Sequence, residues 1–130
     1  MHKSHIKPEH VQHVIKRGGR AHSVETLTGP KTALVVVDMQ LYFMGKGQPS
    51  ECPEAREIVP NVNRLAKATR QAGGKVIWIQ THSGPQSKEF WSAYYERMTP
   101  ENGKKRVDGM NPGGSGFDLW PDLDVKEQDE

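Results

Sequence analysis

Sulfur chemistry has little foothold in this sequence: Cys52 is its only cysteine. A single thiol excludes an internal disulfide framework and agrees with a reducing compartment. No run of about 18 apolar residues is present, so nothing reads as a membrane-spanning helix. The basic N-terminus lacks the apolar core of a secretory signal, so cytoplasm is the expected location. Apolar residues are also scarce, 34% of 130, with a mean hydropathy of -0.77. One domain of ordinary size can be built at this length, with part of the chain contributing no core of its own. Phosphate-binding fingerprints are absent too. Gly45-Lys46-Gly47 belongs to neither a dinucleotide fingerprint nor a Gly-Lys-Ser/Thr motif. The first 31 residues carry Lys3, Lys7, Lys16, Arg17, Arg20 and Lys31 against Glu9 and Glu25. These cations are sparse and have no aromatics between them, which points to a solvated surface and no nucleic-acid partner.

Against that background one stretch stands out, Thr32-Ala33-Leu34-Val35-Val36-Val37-Asp38-Met39-Gln40. Ala33 to Val37 are apolar without interruption, and the run stops at a carboxylate. A half-buried strand alternates; an unbroken run predicts a strand covered on both faces, at the centre of a parallel sheet. Ligands of such sheets sit outside the carboxyl ends of the strands, where Asp38 stands. Two readings of Asp38 follow: a catalytic carboxylate, or a cap for the helix or turn after it.

Upstream, Pro8, Glu9 and the stripe Val11, Val14 and Ile15 predict a short helix stopped by Gly18-Gly19. It reads as an arm, residues 1–29, that packs on the domain of residues 30–130 or on a partner subunit. His10 and His13 on this helix, with His2 and His5 before it, lack Cys or acidic partners at ligand spacing, and no metal is expected. Downstream, Pro60 to Ala72 has helical periodicity, with Val62, Leu65, Ala66 and Thr69 inward and Asn63, Arg64, Lys67 and Arg70 outward. Lys75-Val76-Ile77-Trp78-Ile79-Gln80 is a second buried strand, which makes a βαβ unit with a parallel pair. His82 leaves its carboxyl end as a candidate substrate contact. Phe90, Trp91, Tyr94, Tyr95 and Met98 predict one helix over about Lys88 to Met98. Five glycines in 101–116, with Pro100 and Pro112, predict a long irregular loop, pinned at its end by Phe117, Leu119, Trp120 and Leu123.

Val-Val-Val-Asp-Met-Gln with Phe43 resembles the opening of the isochorismatase-like cysteine hydrolases. The resemblance continues through Ile58–Leu65, Gly73–Trp78 and Gly116-Phe117-Asp118-Leu119-Trp120-Pro121, and looks closest to the N-carbamoyl-amide and ureidoacrylate hydrolase branch. It implies a three-layer α/β/α fold with a parallel sheet, of which this chain carries the N-terminal part. It also implies hydrolysis of a small amide or carbamoyl C–N bond through a cysteine thioester, without an organic cofactor. Family members use an aspartate, a lysine and a helix-opening cysteine.

Asp38 matches the aspartate. No residue matches the cysteine, Cys52 lies far too early, and Lys126 lacks the context of the lysine. Gln40, Phe43 and His82 are the candidate substrate-binding residues. Relatives that bind zinc do so through Asp-x-His; here Asp38-Met39-Gln40 takes that place, so no metal is expected. A homo-oligomer acting on a small amide in the complete protein is the expected setting. The alternative is an inactive, truncated or degenerate homologue that acts, if at all, by binding a partner.

Overall fold

The computed structural model describes residues 6–22 and 24–130. Two strands, β1 (Ala33–Val37) and β2 (Lys75–Ile79), pair in parallel from Ala33↔Lys75 to Val37↔Ile79. A parallel pair needs a crossover. Here it runs through two single helical turns, α2 (Leu41–Met44) and α3 (Glu54–Glu57), and the longer α4 (Val59–Gln71). The α/β class is therefore as expected. Among the described residues no helix is long and apolar enough to cross a membrane.

Register decides which side chains share a face. Leu34, Val36, Val76 and Trp78 point toward α4, where Val59 and Ala66 are buried and Val62 packs on the core. Met39, Met44 and Leu123 complete that core. The opposite face, with Val35, Val37 and Ile79, is 44–56% exposed. The expectation of a strand covered on both faces is thus not met: β1 alternates exposed and buried positions, because α4 covers one side and no helix covers the other among the described residues.

On α4 the inward stripe is rotated from the expected one. Leu65 is 51% exposed. Asn63 and Arg70, expected to face solvent, instead hold the C-terminal segment. Asn63 donates from Nδ2 to the Asp122 carbonyl and accepts from the Asp124 amide, both at 2.8 Å. The Arg70 guanidinium meets Asp129 at 2.5 Å and Asp124 at 3.1 Å. Glu130 then lies along the free edge of β2, its N–H on the Val76 carbonyl and its carbonyl accepting from Trp78 N–H.

The arm helix α1 (Pro8–Gly18) forms as expected and ends at Gly19 with φ 74, but buries none of its residues. The single helix expected over Lys88–Met98 is two separate turns, α5 (Ser87–Phe90) and α6 (Ser92–Tyr95). Trp91 interrupts them with φ -118 and ψ 41, outside the helical region. The loop expected over 101–116 is instead helical in its first part, α7 (Pro100–Gly109). Thr99 caps it by accepting from the Asn102 amide at 3.2 Å, Pro100 opens it, and Glu101–Lys105 and Lys104–Asp108 pairs brace its surface. These start signals outweigh the cost of Gly103 inside the helix.

Candidate active site at the carboxyl ends of the strands

Because β1 and β2 stop in register at Val37 and Ile79, the residues after them emerge side by side. Asp38 N–H continues the ladder to the Ile79 carbonyl at 2.9 Å. Its backbone then turns left-handed, φ 59, the single non-glycine among the described residues to do so. Aspartate tolerates this region better than most residues, yet left-handed backbone still costs about 1–2 kcal/mol. What the turn achieves is orientation: the carboxylate is aimed across the sheet end, where Oδ1 accepts from the Thr81 hydroxyl at 2.7 Å. The capping reading of Asp38 finds no support. The N-cap of α2 is Gln40, without a side-chain cap. The first amides of α2, Leu41 and Tyr42, donate to the carbonyls of Asp118 and Gly116 at 2.9 Å.

Gln40 is fully buried. Its Nε2 donates to the Thr81 and Phe117 carbonyls at 3.1 and 2.7 Å, and its Oε1 accepts from Thr81 N–H at 2.8 Å. The amide is thus spent on backbone, and Gln40 holds Thr81 where Thr81 can hold Asp38. Phe43 is edge-on to Tyr42 and packs against the core. His82 is exposed. Its Nε2 lies 2.8 Å from Asn111 Oδ1, and its ring meets Phe117 edge-on. Together with Gly84, Pro85, Gln86, Ser87, Phe90 and Asn111 it lines a cavity of about 360 Å³.

The site therefore gathers Asp38, Gln40 and Thr81, with His82 next in the chain, and packs the half-buried Phe43 against the core. Thr81 and Asn111 were not singled out from the sequence. Thr81 was within reach by counting, since pairing Val37 with Ile79 sets Asp38 beside residues 80–81. Asn111 arrives through α7, and nothing local signals it. Segment 116–120 closes the base. Gln40 bridges antiparallel to Leu119, Trp120 N–H donates to the Met39 carbonyl, and a Cβ at Gly116 would stand 2.7 Å from that of Tyr42. Only glycine fits there.

Among the described residues no three His, Cys, Asp or Glu side chains converge as a metal site. His10 sits 3.7 Å from Glu9, both exposed; His2 and His5 lie outside the described residues. Cys52 is exposed, with Sγ 3.7 Å from Glu54 Oε2.

A parallel α/β unit with a carboxylate held at the end of its first strand defines a class of small-molecule site. Residues 32–130 match the isochorismatase domain, and the chain belongs to that family. It is similar to a protein of Arabidopsis thaliana named as a probable inactive nicotinamidase, 31% identical over 99 residues, 76% of this chain. The chain spans about half, 48%, of that relative's length.

Proposed function

We propose that this chain supplies the Asp38 side of a hydrolytic site acting on a small amide or carbamoyl C–N bond, in the manner of the N-carbamoyl-amide and ureidoacrylate branch. The observation that carries the reading is the orientation of Asp38: a strained backbone and a Thr81 hydrogen bond aim its carboxylate past the sheet end. In that reaction a cysteine thiolate attacks the amide carbon. Asp38, having taken the thiol proton, returns it to the leaving nitrogen as the C–N bond breaks. It then activates the water that opens the thioester. Thr81 orients the carboxylate, and His82, the next residue, pairs with Asn111 on the wall of the cavity that follows β2. No residue of this chain corresponds to the cysteine or the lysine, so the 130 residues alone should not turn over an amide.

The test joins residues 1–130 to the later portion of an active family member and follows ammonia release from a carbamoyl amide. Asp38→Asn should lower turnover by about a hundredfold or more, since it preserves shape and removes basicity, with little change in melting. A near-normal rate in Asp38→Asn would remove Asp38 from the mechanism. The second reading, an inactive homologue, is favoured by the name of the Arabidopsis relative. It predicts that the joined protein stays silent even with the cysteine and lysine in place.

A further inference from the structure

Gly19 closes α1 with a left-handed backbone, φ 74, and its N–H donates to the Ile15 carbonyl at 2.7 Å. The chain thereby folds back along the last turn of the helix. Val14, Arg17 and Gly18 on one side of the turn, and Arg20 and His22 on the other, line one cavity of about 200 Å³. No carboxylate lines it, and the sequence holds no Asp or Glu between Glu9 and Glu25. Both arginines are exposed, and among the described residues neither joins an ion pair. A cation in the last turn of a helix has a structural use, since it faces the negative end of the macrodipole. That accounts for Lys16 and Arg17. It does not account for Arg20 and His22, which follow the turn and return to the same cavity.

We infer that this cavity binds a phosphate group, free or carried by a small phosphomonoester. Two guanidiniums that share a cavity without a counter-ion repel each other, and an anion of nearly two charges between them replaces that repulsion with attraction. Each guanidinium is a planar fork whose paired N–H groups match two phosphate oxygens, and the His22 ring adds an N–H donor in either tautomer. A carboxylate, with one charge and two oxygens, satisfies only one fork. The cations look dispersed along the sequence, and the turn at Gly19 is what gathers them. This site precedes the family domain of residues 32–130, so it does not rest on the hydrolytic reading.

The test is equilibrium dialysis of the full chain against radiolabelled inorganic phosphate at an ionic strength fixed with chloride, with propionate and a single-stranded oligonucleotide dialysed separately. One equivalent of phosphate should be retained. Arg17→Gln and Arg20→Gln should each weaken retention about tenfold. Arg20→Gln, outside the helix, decides the matter if Arg17→Gln loses helical circular dichroism. Lys16→Gln makes the same change of charge beside the cavity without altering its lining, and should weaken retention less than about twofold. Absence of phosphate retention, an equal loss in Lys16→Gln and Arg20→Gln, or tighter retention of propionate or of the oligonucleotide than of phosphate would each overturn the site.

Discussion

Asp38 and Gln40 stand two positions apart and have different tasks, one aimed outward and one buried. Gln40 makes three backbone bonds with one amide, two to Thr81 and one to Phe117, while its main chain leads into α2. Replacing it by leucine keeps the volume but strands the Thr81 amide and the Thr81 carbonyl, while the Phe117 carbonyl keeps its bond from Gln80 Nε2. Each stranded group costs about 1 kcal/mol or more, so Gln40→Leu should lower unfolding stability by about 2 kcal/mol in urea titration. A loss under about 0.5 kcal/mol, the range of neutral surface changes, would show that the amide does not hold the site together. At this scale the sequence was partly legible. Asp38 could be picked out because it ends an apolar run. The inward role of Gln40 could not, because its partners are carbonyls 41 and 77 residues away.

Among the elements, strands and α4 could be read from periodicity, since the apolar residues alone carry that signal. The outward assignment of Asn63 and Arg70 failed for a physical reason: polar side chains on a helix face also bury themselves when a later segment brings matched charges. Arg70, with help from the Trp78 indole and the Lys126 amide, holds the Asp129 carboxyl well below the usual carboxylate range. The folded state therefore binds this proton less readily than the unfolded chain does. The stabilisation is complete above the unfolded value, about pH 4, and is lost as pH falls below it. Asp129→Asn should cost about 2 kcal/mol at pH 7 and flatten the acid limb of the stability curve. An unchanged acid limb in that variant would assign the acid sensitivity to other carboxylates. The loop expected after Met98 failed differently. Glycines were read as breakers, whereas Thr99-Pro100-Glu101 is a helix start that outweighs them.

At the level of the whole molecule, the sheet has one covered face and one open one. Val35, Val37 and Ile79 form a contiguous apolar strip at the strand ends. Exposed strips of this kind invite association. At micromolar concentration the chain should sediment above its monomer mass or bind a hydrophobic dye, and Val35→Lys with Val37→Lys should reduce both. A monomer that binds no dye and melts sharply would contradict this account of the sheet. The α/β class itself was readable from the strand–helix–strand pattern of Ala33–Val37, Pro60–Ala72 and Lys75–Gln80, but which face stays open was not, since that depends on what packs there.

Glu130, with its two backbone bonds to β2, gives the edge of the sheet a removable cover. Arg70 and Asp129 act as its clasp, fastening residues 124–130 to α4 as well as to the strand. Trp78 N–H and Glu130 N–H are therefore both held by the pairing of one short segment with β2, and both become exchangeable when that segment lifts. The core beneath belongs to α4 and the other strand contacts, so the two amides report a local opening, at less than the free energy of global unfolding. The sheet edge thus has its own opening, read out by exchange at two amides and separate from loss of the whole fold.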